Sequence, residues 1–179
     1  MTTMKKIPPT PRVAYLCAEL KLPAPGNFIF VDTASQSLAY CEKSVTALTC
    51  AVSTSRFGTG NRDGSYMTPP GLHVIEEKIG DGAPPWTIFD SRENTGAIWR
   101  AGMDDVNQIL TRILRLRGLE QGVNAGPGID SYERYIYIHG TNNEKMVGTP
   151  MSHGCICMKN DDVIRLFDMV DVGTLVYIE

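Results

Sequence analysis

Runs of branched and aromatic residues broken by turn formers dominate the first third of the chain. Asn27-Phe-Ile-Phe-Val-Asp-Thr33 has the high β-propensity of a strand. Ala34-Ser35-Gln36 supplies a turn, and Ser37-Leu-Ala-Tyr-Cys41 returns as the second arm of a hairpin. Glu42-Lys43 turns again into a third strand, Val45 to Val52, so a β-meander is expected. Ser53 to Gly71 is a long connection rich in Gly, Ser, Thr and Pro, and connections of that length tend to be functional. Further strands are expected at Leu72–Lys78, Trp86–Asp90, Ala97–Arg100, Tyr132–His139 and Thr174–Ile178. In the fourth of these, alternation puts Tyr135, Tyr137 and His139 on one face. Two helices are expected. Val106, Ile109, Leu110, Ile113 and Leu114 recur at helical spacing and predict one over Asp104–Leu116, with Arg112 and Arg115 outward and Gly118 as the stop. Asp161–Val170 predicts the other, with Asn160 as its N-cap.

Composition narrows the picture. The chain has 179 residues, 42% apolar and 21% charged, and its formal net charge is −3, which excludes wholesale disorder. No Lys/Arg cluster offers a nucleic-acid surface or an anionic-membrane patch, so neither partner is expected. The 17 glycines and 11 prolines suit many turns and short strands rather than a helical bundle. Pro8, Pro9 and Pro11 follow Lys5 and Lys6 where a signal peptide would need an apolar run, and Glu19 and Lys21 break the next stretch. A cytoplasmic location is therefore expected, or a periplasmic one if the sequence is a piece of a longer chain. The cysteines at 17, 41, 50, 155 and 157 are odd in number and have no disulfide-scaffold spacing, so reduced thiols are expected. Cys41 and Cys50 read as small core residues, and His73 as a structural histidine.

Chemistry concentrates between His139 and Cys157. A thiol becomes a strong nucleophile when an imidazole removes its proton, and Cys155 has His153 two residues before it and His139 sixteen before it. In an extended segment His153 and Cys155 point the same way, and His139 reaches the site from an adjacent strand. Gly154 admits a close substrate and frees backbone N–H groups for a developing oxyanion. His139, His153, Cys155 and Cys157 are also acceptable zinc ligands, although the Cys-Ile-Cys spacing is one residue short of common structural sites.

His139-Gly140, a short loop, then Ser152-His-Gly-Cys155-Ile with Met158 and Asn160 resembles the YkuD-type L,D-transpeptidase catalytic domain. The resemblance extends over about residues 27–178, through Val31-Asp32, Val52-Ser53-Thr54, Thr68-Pro-Pro-Gly71 and Val172-Gly-Thr174. It implies an N-terminal extension over 1–26 and one catalytic domain over 27–179. The implied fold is mainly β, a sandwich or closed barrel with a few peripheral helices. Cys155 would be the nucleophile and His139 the base, its ring oriented by the Gly140 carbonyl. Ser152, His153 and Gly154 would shape the site, with N–H groups near Gly154 and Cys155 forming an oxyanion hole. Tyr137, Arg56, Thr68 and Asn160 are candidate substrate contacts. No cofactor or metal is implied, since the chemistry needs a free thiolate. The partners implied are peptidoglycan stem peptides or soluble muropeptides, with carbapenem-type β-lactams as covalent inhibitors.

The family commonly has arginine two residues after the nucleophile, where this chain has Cys157. That removes a fixed guanidinium from the substrate carboxylate, and Arg56, Arg62 and Lys159 are candidate replacements. The resemblance implies attack on the diaminopimelate–D-alanine bond, departure of D-alanine and a thioester. With water as acceptor the protein would be an L,D-carboxypeptidase of wall recycling, the outcome expected for a cytoplasmic chain. With an amine it would be a periplasmic cross-linking transpeptidase. A non-catalytic stem-peptide-binding domain is the alternative of another class. The loops Ser53–Pro70 and Thr141–Pro150 are candidate walls of the cleft.

Overall fold

The structure, a computed structural model, describes residues 11–43, 45–103 and 106–179. The meander is formed as expected by β1 (Asn27–Asp32), β2 (Ser37–Glu42) and β3 (Val45–Ala51), paired antiparallel in that order. Asp32 builds the first turn, its carboxylate accepting from the Ala34 and Ser35 N–H groups at 2.9 and 3.2 Å. The rest of the chain adds β4 (Gly71–Ile79), the hairpin β5 (Thr87–Asp90) and β6 (Glu93–Ile98), and β7 (Ile109–Gly118). After these come β8 (Tyr137–Gly140), β9 (Ile156–Met158), helix α2 (Asn160–Met169) and β10 (Leu175–Ile178). The fold is mainly β with peripheral helices, in accord with the sequence.

All ten strands belong to one mixed sheet, ordered β3-β2-β1-β10-β4-β7, which forks at β7 into the β5–β6 hairpin and the pair β8–β9. The ladder is open between β3 and β9, but isolated bridges at Ser53–Cys157 and Ser55–Ser152 join those ends. Ser53 N–H donates to the Cys157 carbonyl at 2.9 Å, and Cys157 N–H donates back at 2.8 Å. Around this ring lies the main core, with Ile29, Leu38, Ile75, Leu114, Ile138 and Ile156 fully buried and α2 contributing Val163 and Leu166. Burial of side chains this size is worth about 1.5–3 kcal/mol each.

The sequence expectation fails most clearly at Asp104–Leu116. Asp104 and Asp105 lie outside the described residues, and from Ile109 the chain is a central strand, not a helix. The register against β8 shifts between Leu110 and Ile113, and Thr111 adopts φ +72°. This bulge resets the side-chain phase, so a two-residue alternation acquires steps of three and four that imitate helical spacing. Arg112 and Arg115 are consequently buried rather than outward. Arg112 donates to the carbonyls of Ala83 and Thr111, while Arg115 pairs with Glu77 at 3.2 Å and lies over the Tyr132 ring. Gly118 ends β7 instead of a helix.

The other differences are smaller. The expected strand Tyr132–His139 shortens to Tyr137–Gly140, because Asp130 folds residues 130–135 into turns, its carboxylate taking the Tyr132 N–H at 2.8 Å. Tyr135, at φ +55°, leaves the shared face and is exposed, while Tyr137 is buried. The strand expected at Ala97–Arg100 is instead the end of β6. No element was expected over Val13–Leu22, yet helix α1 (Pro11–Glu19) forms there and buries Val13, Leu16 and Cys17 against Leu72 and Tyr177.

Candidate functional site

The site lies at the seam where the ring closes. β8 and β9 run parallel, with Ile138 opposite Ile156 and His139 opposite Cys157. His139 is buried, and its Nδ1–H donates to the Gly140 carbonyl at 2.7 Å, the partner that the resemblance implies. A carbonyl only accepts, so the ring proton sits on Nδ1 and Nε2 presents a bare lone pair. Burial pushes the His139 pKa down to about 4, opposed by that hydrogen bond, so the imidazole is neutral across the physiological range.

The sulfur facing Nε2 is that of Cys157, at 3.8 Å. Cys157 is fully buried, receives the Asn107 Nδ2–H at 3.6 Å, and has its pKa pushed up to about 12 by desolvation. Cys155 is half-buried, and its Sγ lies 3.5 Å from the Tyr135 carbonyl rather than against an imidazole. Desolvation raises its pKa to about 11, against the lowering effects of the Tyr137 N–H and the Arg134 guanidinium. Neither thiol is therefore held ionised at rest. A thiol acting here as a nucleophile would have to give up its proton during attack, and Nε2 is an acceptor free to take it.

His153 is not beside Cys155. Strand β9 begins only at Ile156, and Gly154, at φ +123°, turns the chain so that the i, i+2 alternation does not reach back to His153. The ring is exposed and packs against Phe57 and Tyr66, with centroids 5.8 and 5.7 Å away. Arg56 Nη2 lies 2.6 Å from His153 Nε2, and since guanidinium only donates, Nε2 accepts and the ring proton sits on Nδ1. The four candidate zinc ligands are thus not brought together.

The loop before Cys155 is fixed by side chains. Ser152 Oγ donates to the Cys155 carbonyl at 2.5 Å and accepts the Gly154 N–H at 3.2 Å, so one N–H expected for the oxyanion hole is engaged at rest. Thr68, fully buried, donates to the Gly154 carbonyl at 3.0 Å and accepts the Ser55 N–H at 2.9 Å. It positions the loop rather than facing a ligand. A side chain at Gly154 would press on Ile136 and on the Met67 carbonyl, a second reason for glycine there.

Asn160 is the first residue of α2, not its cap, which is Lys159 without a side-chain bond. The Asn160 carboxamide is buried, donating to Thr141 O at 2.9 Å and Glu144 Oε1 at 2.8 Å and accepting from Thr111 Oγ1 at 2.5 Å. Glu144 also takes the Asn160 N–H at 2.7 Å, so a carboxylate from the 141–150 loop caps the helix where the dipole favours negative charge. Gly140 fits tightly beneath it, because a Cβ there would lie 2.5 Å from Asn160 Oδ1 and 2.7 Å from the Leu110 carbonyl. Gly140→Ala is expected to lower stability by about 1–3 kcal/mol, read as a lower urea midpoint at unchanged m-value.

Three contributors were not singled out from the sequence. Arg134 donates to the carbonyls of Gly60 and Met67 at 3.2 and 2.7 Å, strapping the Ser53–Pro70 loop while placing positive charge near Cys155. Arg92 reaches Tyr137 Oη at 3.1 Å and stacks over Tyr135, bringing a second guanidinium to the Cys155 side. Asn107 links Cys157 to Thr141. Turn chemistry at Asp130 was the available signal for Arg134, whereas the apparent helical pattern hid Asn107.

Fold and site together define a mainly β domain carrying a cysteine–histidine centre on neighbouring parallel strands. The L,D-transpeptidase catalytic domain model of the YkuD family matches residues 26–178, and the chain belongs to that family. The Escherichia coli protein named "Probable L,D-transpeptidase ErfK/SrfK" is 51% identical over 126 residues, 63% of this chain and 40% of that protein. "Probable L,D-transpeptidase YcfS" of Escherichia coli is 26% identical over 87% of this chain and 44% of its own length. The chain thus spans less than half the length of these relatives. Two solved structures share the fold. An Enterococcus faecium L,D-transpeptidase aligns over 86% of this chain and 50% of its own, with 18% identity and TM-score 0.53. L,D-transpeptidase 3 from Mycobacterium tuberculosis, in complex with a faropenem-derived adduct, covers 88% of this chain and 62% of its own, with 15% identity and TM-score 0.55.

Proposed function

We propose that the protein is a cysteine acyl-transfer enzyme that cleaves the L,D bond between diaminopimelate and D-alanine in peptidoglycan stem tetrapeptides, with Cys155 as nucleophile and water as acceptor. The observation that carries this is a partly exposed thiol immediately before β9, the strand that runs parallel to β8 with its neutral imidazole. The ring is pinned through Nδ1, leaving Nε2 as the base.

At rest Cys155 Sγ points to the Tyr135 carbonyl, and a rotamer change about χ1 swings it toward Nε2. The sulfur then attacks the diaminopimelate carbonyl as its proton passes to Nε2. The tetrahedral intermediate collapses, the C–N bond breaks, and the imidazolium returns the proton to the leaving D-alanine amine. Water, deprotonated by Nε2, hydrolyses the thioester, releases the tripeptide acid and regenerates the thiol. Arg134 and Arg92 supply positive charge on the Cys155 side of the site, in a chain where Cys157 stands at the family arginine's position.

Water as acceptor rests on the sequence reading, so the test separates the two half-reactions. Incubation with disaccharide tetrapeptide, followed by mass spectrometry, is expected to give free D-alanine and disaccharide tripeptide. Cross-linked dimer as the main product would replace water by an amine. Absence of D-alanine release would overturn acyl transfer itself.

A further inference from the structure

The chain has two tryptophans, and the fold stacks them at the mouth of one groove. Trp86 and Trp99 lie 5.4 Å apart at 25°, held by Trp99 N–H to the Trp86 carbonyl at 2.9 Å and Trp86 N–H to Thr111 Oγ1 at 2.9 Å. Trp86 is kept at φ +67°, a conformation that bulky residues rarely adopt unless their surroundings impose it. The opposite wall is the segment Asn142–Met146, and the groove encloses about 540 Å³. That volume and mixed lining suit a small organic ligand.

Three polar groups on these walls are left without partners among the described residues. The Asn143 carboxamide precedes the short 3-10 turn Glu144–Met146 but makes no capping bond. Glu144 uses only Oε1, leaving Oε2 unpaired. The Trp99 indole N–H is buried without an acceptor, which is uncommon for a tryptophan donor. An aromatic pair lining one groove with an amide and an unpaired carboxylate oxygen, and with a buried donor still unsatisfied beneath it, suits a pyranose ring, which has an apolar C–H face and an equatorial fringe of hydroxyl and acetamido groups. The groove is also continuous with the site. Its wall begins three residues after His139, and Thr141 bonds Asn107, which bonds Cys157.

We propose that the Trp86–Trp99 groove is a glycan subsite that holds one amino-sugar ring of a muropeptide while the stem peptide runs to Cys155. This rests on the stem-peptide reading above, but its test does not depend on turnover. Because both tryptophans line the groove, emission excited where the seven tyrosines do not absorb reports on it alone. Titrating the full chain with the peptide-free disaccharide N-acetylglucosaminyl-N-acetylmuramic acid is expected to give a saturable change in emission, in the wild type and in Cys155→Ala alike. In a chain that turns over tetrapeptides, Trp99→Ala and, separately, Asn143→Ala are expected to reduce the kcat/KM preference for disaccharide tetrapeptide over free tetrapeptide roughly tenfold, mainly through KM. Asn143 makes no capping bond, so its variant tests the groove if Trp99→Ala folds poorly. Saturable disaccharide binding by a chain without turnover would sink the acyl-transfer reading and leave the subsite standing. No emission change at millimolar disaccharide, or a change driven by free tetrapeptide instead, would overturn the subsite.

Discussion

Cys155→Ser is expected to cut D-alanine release at least ~10³-fold and to abolish the covalent mass gain with faropenem, whereas Cys157→Ser keeps both. Two thiols compete for the role, and the structure separates them by different criteria. Cys157 has the shorter approach to His139 Nε2, at 3.8 Å, but it is fully buried, and both its N–H and carbonyl are tied to Ser53. A stem peptide would have to part the seam to reach it. Cys155 stands at the end of a glycine-turned loop, is partly exposed, and its Sγ is held by nothing stronger than a 3.5 Å contact with the Tyr135 carbonyl. Access therefore outweighs resting distance, as catalytic hydrogen bonds are often long before substrate binds. Peptide mapping of the faropenem adduct decides the matter. An adduct on position 157, or one that persists in Cys155→Ser, would reassign the nucleophile.

The seam also explains why the two loops converge on the thiols. At the Ser53–Cys157 bridge the chain leaves β3 to form the Ser53–Pro70 loop, and the 141–150 loop is fastened there by Ser53 Oγ to the Met146 carbonyl at 3.1 Å. Closing the ring with isolated bridges at Ser53–Cys157 and Ser55–Ser152 instead of a full ladder leaves room for loops to approach the sheet. Arg134 and Thr68 then hold one loop, and Asn160 with Glu144 holds the other. Candidate contacts Thr68 and Asn160 belong to this scaffolding, Tyr137 carries Arg92, and Arg56 lies at the rim on His153.

Legibility in the sequence followed the range of the interactions involved. The meander was readable because its turns are local, Asp32 capping the first within three residues. The nearness of His139 to the Ser-His-Gly-Cys segment was readable because these are the residue types that cysteine acyl transfer would require together, and β8 and β9 do lie side by side. What escaped depends on partners distant in sequence. The bulge at Thr111 is stabilised by Asn160 and Trp86, neither of them near it in sequence, and it changed a strand into an apparent helix. The facing of His139 to Cys157 rather than Cys155 is a register property of parallel strands joined by a long connection. The outward turn of His153 follows from the Gly154 φ, which residue identity permits but does not require.

Mild acid is expected to destabilise the fold steeply, because two histidines are buried neutral. His73 is fully buried, donating Nδ1–H to the Gly71 carbonyl at 3.0 Å and accepting from Ser131 Oγ at 2.9 Å, and its interior position is the structural role expected for it. Desolvation pushes its pKa down to about 4, as it does for His139. Unfolded, both would titrate near 6.5. Between about pH 6.5 and 4 the unfolded chain binds more protons than the folded one, so stability is fully present above that window and is lost as pH falls through it. Each histidine accounts for roughly 3 kcal/mol across the window, so the pair approaches the whole stability of an ordinary domain. Asp32, held below its usual value mainly by the Ser35 hydroxyl, adds its loss only at lower pH. Urea denaturation at pH 7 and pH 4.5 is expected to show a large drop in midpoint, and His73→Gln to remove about half of the pH dependence. A midpoint unchanged over that interval would mean that the histidines are already solvated or charged in the native state. A full slope retained in His73→Gln would place the proton uptake elsewhere.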